Sequence, residues 1–395
     1  MKPVRTIAAA GLFGLAACTS NTMGGVADGS APSRIASQPD ALLAPYYREL
    51  AARTDLPVMP QGPALASDAV LTRIAVGSCN QQFRDQDIWP VIAATQPQLA
   101  LLTGDNVYGD AGYSGEPDMG SFIKAHRLQG SHPEFAAFAR AVPIRATWDD
   151  HDFGPNDAGG ATFPYRAWSE RIFETFWRAS DEAKARPGVH DSIIVGPEGQ
   201  RVQIITLDTR FFRSALKEVP YGSPRPPLGQ YIADTSPDAE MLGEAQWQWL
   251  AAELAKPADL RIVTSSIQVI TDAHGFEKWG NMPLERDRLY RLLAGRSGGG
   301  VVLLSGDRHQ GAVYEHVPED AGGETFRELT ASSLNLSFGR EGEAETDREP
   351  DPRRLGLMYS PENFGLVDID WSSREVTLRL LDNAGKDVRR HSYGF

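Results

Sequence analysis

LLTGDNVYGDAG (101–112) sets an apolar run directly against Asp105, Asn106, Tyr108 and Asp110. Asn, Asp and Gly favour turns, so part of this stretch reads as the turn that ends a strand. A turn has no need of a tyrosine three residues after an aspartate. The other reading is a strand end that holds something. Outward from it the same grammar recurs: TRIAVGSCN (72–80), QLALLTGDN (98–106), IRATWDDHD (144–152), VQIITLDTR (202–210), LRIVTSSIQ (260–268) and GVVLLSGDRH (300–309). Each runs apolar and β-branched, then stops abruptly in polar residues. Uninterrupted apolar runs of this length predict strands buried on both faces.

Between these strands lie amphipathic stretches. Residues 163–180, 239–256 and 283–295 carry apolar side chains at helical spacing, and 364–371 with 375–383 alternate as an antiparallel pair. Strands alternating with helices predict an α/β architecture. In such sheets ligands bind beyond the carboxyl ends of the strands. Six strand ends then deliver Cys79, Asp105, Tyr108, Asp149, Asp150, His151, Asp152, Asp208, Arg210, Gln268, Asp307 and His309 to what can be one edge. Strand ends are commonly polar, so no single residue decides anything. Gathering uncompensated carboxylates is costly unless a cation sits among them.

The rest of the chain sets the context. Of 395 residues, MKPVRTIAAAGLFGLAACTS at the start has Lys2 and Arg5, an apolar run and then small residues. That is a secretory signal peptide, the run being too short for a membrane span. Leu15-Ala16-Ala17-Cys18 resembles a bacterial lipobox, which makes 1–17 the leader and Cys18 the lipidated first residue of the mature protein; ordinary cleavage, with Cys18 incidental, is the alternative. Residues 18–70 then form a lipid-anchored tether with one short helix (40–53) that can dock on the domain, and 71–395 the globular domain. The location expected is the periplasmic face of a bacterial membrane, the outer one. The formal net charge of −13 and the lack of a basic stripe argue against nucleic acid as a partner. With only two cysteines, lipid on Cys18 leaves Cys79 without a disulfide partner, so its thiol is either buried and inert or chemically employed.

At these residues the chain resembles the calcineurin-like metallophosphatase superfamily, and within it the PhoD-like alkaline phosphatase/phosphodiesterase family. GSCN (77–80) is similar to the first PhoD-like motif, and GDNVY (104–108) resembles a GDxxY motif shared with purple acid phosphatases. WDDHD (148–152) stands where the superfamily has GNHE, and SGDRH (305–309) where it has GHxH. LDTRFFR (207–213), WGNMPLER (279–286) and ELTASSLN (328–335) also look like family signatures, so the resemblance spans roughly 72–370. It implies an αββα sandwich of two mixed β-sheets flanked by helices, with the active site at strand carboxyl ends. It implies Fe3+ held by Cys79, Tyr108 and His309, Ca2+ held by Asp150 and Asp307, and Asp105 bridging the two. A metal-bridged hydroxide would then attack phosphorus in line.

The donor types agree with that assignment on chemical grounds. A thiolate and a phenolate suit trivalent iron, whereas carboxylates suit Ca2+ or Mg2+. Asp307 in place of a histidine favours the hard cation and argues against zinc or a second iron. His151 is expected as the general acid for the leaving alkoxide, and Arg210 as a bidentate clamp on the phosphoryl oxygens. Asn156 is either a second-metal residue or a loop turn. Asp149 reads as structural, Asp152 as lying behind the ligands, Asp110 as a turn residue, and His274 as a loop or pocket residue. The expected function is a metal-dependent phosphomonoesterase or phosphodiesterase. The alternatives are a phospholipase acting on phospholipid headgroups and a non-catalytic metal-binding envelope lipoprotein.

Overall fold

A computed structural model of the chain describes residues 38–226, 228–339 and 342–395. The leader and Cys18 lie outside the described residues. The strands, in chain order, are β1 (Arg73–Gly77), β2 (Leu99–Thr103), β3 (Ile144–Thr147), β4 (Asp191–Val195), β5 (Val202–Thr206), β6 (Leu260–Thr264) and β7 (Gly300–Ser305). They continue as β8 (Ala312–His316), β9 (Phe326–Thr330), β10 (Glu345–Thr346), β11 (Met358–Tyr359), β12 (Asn363–Asp370), β13 (Glu375–Asp382) and β14 (Asp387–Gly394). One six-stranded sheet runs β14-β13-β12-β1-β2-β3 and the other β4-β5-β6-β7-β9-β8; β10 and β11 make a separate two-stranded ribbon. Both large sheets are mixed, as expected. β1, β2 and β3 are parallel, as are β5, β6, β7 and β9, and antiparallel strands complete each sheet.

Side-chain alternation shows why the apolar runs are continuous. Successive residues of a strand point to opposite faces. Ile74, Val76, Leu99 and Leu101 from one sheet meet Ile204, Ile262, Val302 and Leu304 from the other in a core between the sheets. Their neighbours Ala75, Ala100 and Leu102 turn the other way, against Trp89, Phe135, Trp148 and Phe173. Ile205, Val263 and Leu303 likewise pack outward against Trp247, Leu250 and Leu289, which lie on the helices Gly243–Leu254 and Pro283–Ala294. Four layers follow from strands that are apolar on both faces: helix, sheet, sheet, helix. Each fully buried aliphatic side chain contributes about 1.5–3 kcal/mol by leaving water.

The described part of the tether is not loose. Its helix, Gln38–Arg53, lays Tyr47 on Trp168 with ring centroids 5.4 Å apart, and Asp40 pairs with Arg166 at 2.8 Å. The helix packs on the domain through these contacts. No helix among the described residues is long and apolar enough to cross a membrane.

Parallel order sends the carboxyl ends of β1, β2 and β3 to one edge, and those of β5, β6 and β7 to the matching edge of the second sheet. The two edges meet. A Cβ on Gly104, whose φ is +102°, would fall 2.5 Å from the Asp149 Cβ and 3.1 Å from the Ser266 Cβ. One on Gly306 would fall 2.5 Å from the Ser78 hydroxyl. The glycines before Asp105 and Asp307 let the sheets close over the aspartates.

Candidate metal centre

Cys79, Asp105, Tyr108 and His309 come together from β1, β2 and β7. The Cys79 Sγ lies 3.7 Å from Asp105 Oδ2, and Tyr108 Oη donates to the same oxygen at 3.1 Å. His309 Nε2 is 3.4 Å from Tyr108 Oη. The other ring nitrogen, Nδ1, donates to the Leu336 carbonyl, which fixes the tautomer and turns Nε2 toward the cluster. Burial lowers the His309 pKa to about 4 and keeps the imidazole neutral, as a ligand must be. Burial, and then the Asp105 charge, push both the Cys79 thiol and the Tyr108 phenol up. Neither ionises here without a cation.

A second group shares Asp105. Ligand atoms of Asp105, Asp149, Asp150 and Asp307 all lie within 4.8 Å of one another, as do those of Cys79, Asp105 and His309. Asp105, Asp150 and His151 form a third group by the same measure, and Asp150, Asp157 and Glu277 a fourth, though Arg210 and Arg213 already face the fourth through Glu277. Six carboxylates thus crowd against two arginines and His151. Asp105 Oδ1 and Asp149 Oδ2 are buried with no hydrogen-bond donor among the described residues, and Asp150 Oδ1 has only an Arg210 nitrogen 3.6 Å away. Burial pushes the Asp105 pKa well up, and Asp149 and Asp150 add to it against the pull of His151. Orphaned anionic oxygens of this kind fit divalent or trivalent cations.

The backbone carries the same signature. Among the described residues ten non-glycine residues have positive φ, and five of them are Cys79, Asp105, Asp157, Asp307 and His309. Left-handed backbone at a non-glycine residue is strained. Here it folds each strand end back so that its side chain turns into the shared centre. Asp152 ties two of these turns together, accepting from the backbone N–H groups of Asn106 (3.1 Å), Val107 (3.2 Å) and Asp149 (3.0 Å). It belongs to none of the ligand groups.

His151 lines an open cleft of about 470 Å³ next to the cluster, together with Tyr108, Asp150 and Asp307. Its Nδ1 is 2.8 Å from Asp110 Oδ1, and its ring packs on Tyr108 with centroids 4.2 Å apart. Burial alone would lower its pKa. Asp150, Asp105 and Asp110 outweigh that and raise it to about 11.

Two expected roles do not fit the placement. Arg210 is fully buried, with Nε 2.6 Å from Asp149 Oδ1 and Nη1 2.9 Å from Glu277 Oε1. Its fork is taken up by carboxylates behind the cleft, so it cannot clamp a phosphoryl group. It neutralises Asp149 instead. Asn156 is exposed at the cleft mouth, and its neighbour Asp157 takes the inward position. The Asp157 N–H donates to Asp150 Oδ2 at 2.7 Å, and Tyr231 Oη donates to Asp157 Oδ2 at 2.6 Å. The left-handed φ of Asp157 makes that choice.

Other candidates are structural. Asp208 accepts N–H groups of Val189, Arg210 and Phe211 and the Trp148 indole. Gln268 and His274 bond each other at 3.0 Å, and neither belongs to the four ligand groups. Three participants were not legible: Glu277, the Asp110 partnership with His151, and Tyr231. Glu277 sits two residues before the Trp279-Gly280 signature, and only that adjacency marks it.

This arrangement has counterparts. The fold matches a solved structure of PhoD with a TM-score of 0.65 and 18% identity, over 84% of this chain and 70% of that one. It also matches PPD1, a purple acid phosphatase from yellow lupin (Lupinus luteus) seeds, with a TM-score of 0.51 and 10% identity, over 84% of this chain and 55% of that one. At such identities the likeness is one of fold. No curated protein sequence matches the chain. A model of the PhoD-like phosphatase family matches residues 74–380, from the second residue of β1 into β13. That span takes in every strand end that feeds the centre, and by it the chain belongs to the PhoD-like phosphatase family.

Proposed function

We propose that this phosphoester hydrolase works on phosphomonoesters or phosphodiesters by in-line displacement, with iron on the side of Cys79, Tyr108 and His309 and Ca2+ on the side of Asp150 and Asp307. The observation that carries the proposal is Asp105. Its carboxylate belongs both to the group with Cys79 and His309 and to the group with Asp149, Asp150 and Asp307, and its Oδ1 is buried without a donor among the described residues, as a residue shared by two cations requires. When bound, such cations supply Lewis acidity toward phosphoryl oxygens and lower the pKa of a nearby water.

The chain's own residues supply the rest. His151 lines the cleft with Asp110 against its Nδ1, which favours the protonated ring, so it is placed to protonate the leaving alkoxide. Asp110 takes Nδ1 and leaves Nε2 as the nitrogen for substrate. Asp110 belongs to none of the four ligand groups, so its charge supports the imidazolium whatever Asp105 and Asp150 hold. Anchorage through lipid on Cys18 at the periplasmic face of a bacterial membrane rests on the Leu15-Ala16-Ala17-Cys18 stretch, and would set the cleft beside phospholipid headgroups. Release from membranes by Cys18→Ser tests it.

The reaction is tested with an aryl phosphomonoester and the matched diester, on protein starting after Cys18 with Ca2+ added. Turnover of either supports hydrolysis, and the ratio assigns the ester class. Metal-loaded protein that turns over neither would favour a binding lipoprotein.

A further inference from the structure

Arg308 stands between two residues of the centre, Asp307 and His309, and all three side chains line the same cleft. A strand would alternate them between faces. Left-handed φ values of 65° at Asp307 and 52° at His309 bring them to one side instead. Arg308 is only 8% exposed. One nitrogen of its fork, Nη2, meets the carboxylate of Glu349, itself 2% exposed. The guanidinium lies over the Phe276 ring, 4.7 Å from its centroid, which fixes its plane and keeps water from one face. The Nε–H is buried without an acceptor among the described residues. A buried guanidinium N–H left unpaired is costly, and Arg308 lines the cleft, so a small turn of the fork would let it meet an oxyanion bound there.

We propose that Arg308 receives a non-bridging phosphoryl oxygen of the substrate, through the N–H edge that Glu349 leaves free. Arg308 thereby takes the role that the burial of Arg210 rules out. A guanidinium edge held rigid by an ion pair on one side and an aromatic face below loses little freedom on binding a phosphate. Glu349 and Phe276 are positioning residues, since each acts through the guanidinium. The inference rests on the phosphoester reading and extends it to a named contact.

The test is competitive inhibition by orthophosphate of aryl phosphate hydrolysis, in wild type, Arg308→Met and Arg308→Lys, with bound metals measured by elemental analysis. Arg308→Met is expected to raise the inhibition constant and KM together by roughly ten- to a hundredfold, with metal content unchanged. Arg308→Lys should recover part of the loss, because the charge remains while the fork does not. Glu349→Gln should raise the same constant by a smaller factor, and it serves if Arg308→Met does not fold. An inhibition constant within twofold of wild type, at full metal content, overturns the proposal. Loss of metal from Arg308→Met also overturns it, since Arg308 would then be supporting the ligand turn. Wild-type protein that holds metals but hydrolyses no ester contradicts the phosphoesterase reading itself, a different result from either.

Discussion

His151 Nδ1 and Asp110 Oδ1 lie 2.8 Å apart, both side chains more than four-fifths buried. That pair orients the imidazole and adds to the pull of Asp150 and Asp105 that raises its pKa. Replacing Asp110 by Asn removes the charge and keeps the shape. Alkyl esters, whose leaving groups need the proton, should then slow by about tenfold or more, while activated aryl esters change little. His151→Ala should show the same pattern more strongly, at about 10²–10⁴ for alkyl esters. Equal losses for both ester types would remove His151 from the acid role.

Arg210 holds Asp149 and Glu277 from a position with no exposure. Arg210→Met leaves both carboxylates buried without that partner, at a cost of about 3–5 kcal/mol. Poor folding or a much lower melting temperature is the expected outcome. Arg210→Lys should not rescue it, because a single ammonium cannot bridge two carboxylates as a fork does. A variant that melts like wild type but shows only a raised KM would restore Arg210 as a substrate clamp.

Both of those residues show where sequence reading reached its limit. The strand ends were legible because β1, β2, β5, β6 and β7 are apolar on both faces and stop at glycine or polar residues. Their ligand types made Cys79, Asp105, Tyr108 and His309 visible as one set, and they do converge. The antiparallel pair β12 and β13 was legible through alternation. The direction in which a strand-end side chain turns was not. Arg210 and Asp149 point behind the cleft because they satisfy each other, and a carboxylate 61 positions away carries no local signal. Asp157 turns inward and Asn156 outward through one left-handed residue. The helices Gly120–Ser131 and Pro133–Ala141, and the outer strands β4, β8 and β14, are short or half-exposed and lack the continuous apolar run that marked the others.

Away from the centre, Glu170 gives the pH dependence a handle. Burial first, and then the Glu174 charge, raise its pKa to about 8, although the Gly188 N–H it accepts opposes the rise. In this window the folded chain keeps a proton that the unfolded chain has already lost. The contribution of Glu170 to stability is therefore full below the ordinary glutamate pKa and is lost as pH rises through about 8. Glu170→Gln should flatten the fall in melting temperature over that range. Parallel profiles for the two proteins would show that Glu170 is ionised in the fold.

The iron assignment has an optical readout. A thiolate from Cys79 or a phenolate from Tyr108 on trivalent iron gives charge-transfer absorption in the visible. Cys79→Ser and Tyr108→Phe should each weaken or shift that band, and stripping the metals should abolish it and lower the melting temperature as the carboxylates lose their cations. Colourless, iron-free protein with full activity would take both residues out of the ligand set.

Everything turns on Asp105 as a carboxylate shared by two cations. The most direct measurement is elemental analysis of wild type and Asp105→Asn, purified in parallel, with ester turnover on the same samples. Wild type is expected to carry iron and a hard dication and to hydrolyse ester, and Asp105→Asn to lose occupancy of both metals together along with turnover. Asp105→Asn that keeps both metals and its activity would contradict a shared ligand, and with it the centre described here.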